Sequence, residues 1–93
     1  MKIYEKNARH IFRAAPGHLP DTRRGRALLV ETASNEANLV GEDRFGNLRY
    51  ARTIDGVGQV WVLVRGGEIR NGGVNPSPRT DLELGGQGGK VER

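Results

Sequence analysis

The side chains in this chain that can do chemistry on a phosphodiester are few enough to name. His18 stands in a loop between Gly17 and Leu19. An imidazole exchanges a proton near neutral pH, so a loop histidine can act as general base or acid. The stretch RYARTIDGVGQVWVLVRGGEIRNGGVNPSPR, residues 49–79, interleaves arginines with the rings of Tyr50 and Trp61. Guanidinium forks neutralise phosphates, and flat rings stack on bases at roughly 1 to 3 kcal/mol per base. The same residues have a plainer reading, in which His18 is an ordinary loop histidine and the arginines and rings are the wet side of a small sheet. His10, the other histidine, packs or faces solvent on an N-terminal helix.

Composition narrows the alternatives. The chain has 93 residues, no cysteine, and 15 Lys and Arg against 11 Asp and Glu, a formal net charge of +4. All the basic residues except Lys2, Lys6 and Lys90 are arginine, which favours a polyanionic partner. Without cysteine there is neither a disulfide framework nor a thiolate metal site. No histidine pair has ligand spacing, and Glu42-Asp43 is an isolated acidic pair in a turn, so a metal-dependent nuclease is not expected and no metal or other cofactor is implied. Ser34 and Ser77 lack a histidine in local sequence and read as turn residues. Gly72-Gly73 does not open a helix and is not a phosphate loop. Nothing after Met1 has the continuous apolar core of a signal peptide, and no stretch approaches membrane-spanning length. An aqueous site of action, most simply the cytoplasm, is expected, with no membrane partner.

The elements that must position these residues can be read in order. Ile3, Tyr4, Ala8, Ile11, Phe12 and Ala15 recur at helical spacing, which predicts a first amphipathic helix from Lys2 to Ala15 ended by Pro16-Gly17. GHLPDT follows as a loop whose Asp21 or Thr22 caps a second helix with a stripe of Ala27, Leu28, Leu29, Thr32 and Ala33. ASNEANLVG reads as a capped turn of helix with Gly41 at its left-handed exit. Then the pattern changes to alternation over Leu48 to Ile54, Gln59 to Arg65 and Glu68 to Arg70. The expected fold class is α+β, with N-terminal helices packed on one face of a small antiparallel sheet, a meander of three to four strands. One domain over residues 1–84 and a mobile glycine-rich tail over 85–93 complete this reading.

If the DGVG hairpin pairs Ile54 with Gln59, the register sorts the side chains onto two faces. Ala51, Thr53, Val60, Val62, Val64 and Ile69 then face the helices. Tyr50, Arg52, Trp61, Leu63, Arg65, Glu68 and Arg70 share the opposite face, where Arg65 lies across from Glu68.

The motif string resembles a known family. GHLPDT followed by RALLVETASNEANLVGEDRFGNLRYARTIDGVGQVWVLVRGGEIRNGGVNPSPR is similar to the C-terminal toxin domains of bacterial polymorphic-toxin and contact-dependent growth inhibition effectors. The shared marks are a His-x-Pro-Asp-Thr start, a Gly-Asn-x-x-Tyr-Ala segment, a Gln-Val-Trp strand and an Asn-Gly-Gly-x-Asn ending. They cover His18 to Arg79. The resemblance implies a metal-independent ribonuclease of the barnase, EndoU, colicin and RelE-like group. It implies catalytic roles for His18 as base or acid, for Arg52 and Arg65 in stabilising phosphoryl charge, and for Asn75 as a donor to phosphate or a reader of a base edge. Tyr50, Trp61, Arg70 and Arg79 are then the substrate-binding residues. Arg52 departs from the pattern, which has lysine after Tyr-Ala, and a guanidinium can bind phosphate but hardly moves a proton.

The expectation is thus a metal-independent endoribonuclease acting as a toxin, leaving 2′,3′-cyclic phosphate ends. RNA is its substrate, and an acidic antitoxin or immunity protein its inhibitor. The alternatives are a non-catalytic RNA- or ribosome-binding module on the same scaffold, and a protein-binding domain anchored by Trp61 and Arg65.

Overall fold

A computed structural model of the chain describes residues 1–76. Arg79, the expected domain end at residue 84 and the tail expected over 85–93 lie outside the described residues. Strand β1 (Lys2–Ile3) leads through a 3-10 turn (Glu5–Asn7) into helix α1 (Ala8–Ile11) and then helix α2 (Arg23–Ala33). A second 3-10 turn (Glu36–Asn38) precedes strands β2 (Leu39–Glu42), β3 (Leu48–Ile54), β4 (Gly58–Arg65) and β5 (Glu68–Asn75). The class is α+β. The sheet has five strands in the order β1-β5-β4-β3-β2, not the three to four expected, and it is mixed, because β1 runs parallel to β5 while β2 to β5 form an antiparallel meander.

The expected first helix over Lys2 to Ala15 is replaced by three shorter pieces. Ile3 pairs with Ile69 across the edge of β5 and is buried, and the Tyr4 amide donates to the Ile69 carbonyl at 2.9 Å. Only Ala8–Ile11 is α-helical, and Phe12 leaves the turn extended to bridge Leu19. Ile3, Ile11 and Phe12 all reach the core, but from a strand, a helix and a bridge. Their helical spacing was met by three conformations, because burial at the sheet edge outweighs what four residues of helix propensity supply.

Helix α2 follows its sequence signals. The Thr22 hydroxyl accepts the Gly25 amide at 3.0 Å as N-cap, while Asp21 instead holds Arg26 through two hydrogen bonds of 2.6 and 3.0 Å. Leu28, Leu29, Thr32 and Ala33 are its buried stripe, and Leu29 and Ala33 enter the same core as Val60, Val62, Val64 and Ile69. Asn35 caps the following turn through its side chain, which accepts the Ala37 amide. Gly41 is not the helix exit but a residue of β2 opposite Arg49, next to a bulge.

The β3–β4 register differs from the expected one by a single residue. Ile54 pairs with Gly58 rather than Gln59, so Arg52 faces Val60, Ala51 faces Trp61 and Tyr50 faces Val62. The turn is closed by the Val57 amide on the Ile54 carbonyl, and Gly58 enters the ladder itself at φ 123°, a conformation open to glycine. Counting Gly58 as strand shortens the loop by one, and a one-residue slip turns every β3 side chain to the other face.

Strand β5 runs on through Asn-Gly-Gly-Val-Asn, with Arg70 as the extra residue of a bulge opposite Leu63 and Val64. Its outer edge is covered beyond β1 as well: Asn7 donates its side-chain amide to the Arg70 carbonyl, and the Gly17 carbonyl accepts from the Val74 amide.

Candidate functional site

The register decides which expected site residues can meet. Tyr50 is 7% exposed and belongs to the hydrophobic core, so its ring is not a stacking platform. Arg52 alternates with Tyr50 onto the α2 side, where its guanidinium lies 3.7 Å from Glu31. Both assignments to the open face are therefore corrected. The open face carries Arg49, Ala51 and Thr53 from β3, Gln59, Trp61, Leu63 and Arg65 from β4, and Asn71, Gly73 and Asn75 from β5.

Trp61 lies across Gly73. A Cβ placed on Gly73 would meet the indole at 3.1 Å and would collide with the Gly17 carbonyl. Glycine at 73 is thus what lets the loop before α2 approach the sheet beside the tryptophan. That loop carries His18. The His18 Nδ1 lies 3.2 Å from the Ile11 carbonyl and Nε2 lies 3.1 Å from a guanidinium nitrogen of Arg13. A carbonyl only accepts and a guanidinium only donates, which assigns the ring proton to Nδ1 and makes Nε2, on the exposed side, the acceptor from Arg13. The ring is oriented as catalytic imidazoles commonly are, by a hydrogen bond from the nitrogen that does not react.

Next to this loop, Asn75 donates to the Gln59 side-chain oxygen at 3.0 Å. Gln59 also lines a cleft of about 260 Å³ with Asn38, Ala51, Arg52 and Thr53, where β3 runs past the start of β2. The His18 loop, through the Gly17 carbonyl, thus meets the end of the sheet where Trp61 and Asn75 stand, while the His18 ring itself turns to Ile11 and Arg13.

Arg65 and Arg70 stand toward the other end. From Val60, paired with Val74 beside Gly17, to Arg65 is five residues of β4, roughly 17 Å of extended chain. Arg65 donates to the Phe45 carbonyl at 3.2 Å. Arg70 packs over the Tyr4 ring with its guanidinium 4.0 Å from the centroid, and Glu68 pairs with Arg70 rather than with Arg65. The expected quartet of His18, Arg52, Arg65 and Asn75 is thus divided among two ends and two faces of the sheet.

Three residues that sequence reasoning passed over belong on this surface. Arg13 stands five positions before His18 across Pro16-Gly17, and its part shows only once the first helix is seen to stop at Ile11. Arg49 alternates with Ala51 and Thr53, so the correct register alone would have found it. Its side chain is 11% exposed and pairs with Asp43 at 3.6 Å, and burial pulls the guanidinium below its ordinary pKa while Asp43 opposes that shift. Phe45, in the DRFG turn, is 56% exposed.

Among the described residues no helix is long and apolar enough to cross a membrane, and no group of three or more His, Asp or Glu is arranged to hold a metal ion. Comparison of the chain with family models, with curated proteins and with solved structures returns no match.

Proposed function

We propose that this chain is a metal-independent endoribonuclease that acts as a bacterial toxin. The observation that carries the reading is the outward Nε2 of His18, oriented through Nδ1 and flanked by Arg13. Nε2 takes the proton of a ribose 2′-hydroxyl, the 2′-oxygen forms a bond to the adjacent phosphorus, and the bond to the 5′-oxygen breaks. The departing 5′-oxygen receives a proton from solvent or from the imidazolium, and a 2′,3′-cyclic phosphate remains. Arg13, released from Nε2, moves to the phosphoryl oxygens, where charge builds. Trp61 holds a flanking base, and the Asn75 side chain, positioned by its hydrogen bond to Gln59, offers its amide oxygen to a base edge. Arg52, held by Glu31 on the other face, has no part in this arrangement. The toxin role rests on the resemblance over His18 to Arg79, and the net charge of +4 suits an acidic immunity protein over the same face.

A second reading is favoured by one observation: both ring nitrogens of His18 already have partners within the chain, as in a purely structural histidine. The open face would then bind RNA without cutting it. Incubation with total RNA in excess EDTA, followed by end-group analysis, separates the two. Cyclic phosphate ends, lost in His18→Ala, support the ribonuclease; intact RNA bound with a steep salt dependence supports the binding module.

A further inference from the structure

The β2–β3 turn is built more firmly than a turn needs to be. The Asp43 carboxylate, whose side chain is 1% exposed, accepts from the Phe45 amide at 2.8 Å, the Asn47 amide at 3.0 Å and the Asn47 side chain at 2.9 Å. The Asp43 amide in turn donates to the Asn47 carbonyl at 2.9 Å. This frame holds out Phe45, 56% exposed and the most exposed large apolar side chain among the described residues. The Arg44 guanidinium lies 5.0 Å from the Phe45 ring centroid, and Arg65 reaches from the open face to the Phe45 carbonyl.

A single exposed phenylalanine needs no explanation. One whose backbone is fixed beside two exposed arginines is a different object, because the ordering entropy of the turn that presents it has already been spent and a partner would not have to supply it. Of the neighbouring acids, Asp43 is turned inward and Glu68 is drawn to Arg70 at 3.5 Å, which leaves Glu42 exposed. The outward surface of the tip is a ring with cations beside it.

We propose that the tip formed by Arg44, Phe45 and Arg65 is a second contact for single-stranded RNA, in which Phe45 stacks on a base and the two arginines take phosphates. The inference rests on the reading of RNA as substrate and adds where a longer strand is held. Trp61 and Arg49 lie along the open face between Val74, where the Gly17 carbonyl beside His18 meets the sheet, and Arg65. The roughly 17 Å from one end to the other corresponds to about five nucleotides at the ~3.4 Å spacing of stacked bases. A dinucleotide can occupy the His18 end only. A longer strand can touch both.

The test uses a dodecanucleotide with 2′-O-methyl riboses, which cannot be cut by 2′-hydroxyl attack, and fluorescence anisotropy in EDTA. Phe45→Ala is expected to weaken its binding about tenfold, a loss in the range of one stacked base, while Phe45→Trp binds at least as well as the parent. Arg44→Gln and Arg65→Gln are each expected to flatten the salt dependence by about 0.7 in slope. Cleavage of a dinucleotide by Phe45→Ala should match the parent. Unchanged dodecanucleotide affinity in Phe45→Ala, with circular dichroism showing the fold kept, overturns the proposal, as does an equal loss on dinucleotide and dodecanucleotide. If the parent cuts no RNA yet Phe45→Ala still weakens binding, the ribonuclease reading fails and the contact stands.

Discussion

Leu29 fills the space that a side chain at position 72 would need. A Cβ on Gly72 would lie 2.8 Å from the Leu29 Cδ1 and 3.0 Å from the Trp61 carbonyl. On the opposite face of the same strand, Gly73 makes room for the Trp61 indole and the Gly17 carbonyl. The glycine pair is therefore neither a turn nor a phosphate loop. It is the place where β5 is thin enough for α2 to settle on one side and the His18 loop on the other.

Adding a methyl group at either glycine should separate these two roles. Gly72→Ala pushes on a flexible leucine and is expected to cost about 1 to 3 kcal/mol, as overpacking in a filled core does. Gly73→Ala meets backbone at Gly17 and should cost more, with loss of the hydrogen bond from the Val74 amide to Gly17 and displacement of the His18 loop. Urea denaturation of the two variants gives the order of stability, and RNA cleavage should suffer more in the second than its stability alone explains.

Acid should weaken the β2–β3 turn through Asp43. Burial pushes its carboxyl up, but hydrogen bonds from Asn47 and Phe45 and the charge of Arg49 together hold it below the ordinary value. A depressed carboxyl stabilises the fold above the unfolded pKa, about 4, and that contribution is lost as pH falls through the folded value. Stability should thus decline below about pH 4 in the parent and decline less steeply in Asp43→Asn, which starts lower. Asp43→Ala should be the worse variant at neutral pH, because the Arg49 guanidinium then stays buried with its ion-pair partner removed. Denaturation midpoints from pH 3 to 7 check this, and parallel curves for parent and Asp43→Asn would refute it.

What could be read from the sequence followed local signals, and what could not depended on one glycine and one sheet edge. Thr22 ahead of α2 and the alternation in Leu48–Ile54 carry their structure in neighbouring residues. Ile3 does not: its two-residue strand exists because β5 offers an edge far along the chain. Gly58 is equally silent, since a glycine next to a turn reads as loop until its partner is known. That ambiguity moved Tyr50 and Arg52 to the wrong face and hid Arg49. The candidate site inherited the error, while Trp61, Asn75 and the Gly17 backbone next to His18, whose placement does not depend on the facing of β3, meet at one end.

The register itself is open to a direct check at Tyr50. In the core, Tyr50→Ala should cost about 3 to 5 kcal/mol, the range for losing a buried ring, and should leave a cavity beneath α2. On an open face the same change would stay within about half a kcal/mol. On the proposed reading, Trp61→Ala is expected to show the milder stability loss of a half-buried ring and the larger loss of RNA affinity, whereas the shifted register puts both rings on the open face and would make the two variants alike.

The last prediction concerns how His18 divides its work between its two nitrogens. Nδ1 ties the loop to the Ile11 carbonyl, and Nε2 faces outward beside Arg13. In His18→Asn the side-chain amide occupies the place of Nδ1 and can still donate to Ile11, but nothing replaces Nε2. Stability should therefore stay close to the parent, whereas His18→Ala loses the tie as well. If His18 is the base, both variants should lose about 10²- to 10⁴-fold in kcat, the usual worth of a positioned proton acceptor. In the proposed mechanism Arg13→Gln should raise KM and lower kcat together, because there the same guanidinium both meets the substrate phosphate and stabilises its developing charge. Retained cleavage in His18→Asn with lost cleavage in His18→Ala would make His18 a loop anchor and transfer the proton chemistry to another group.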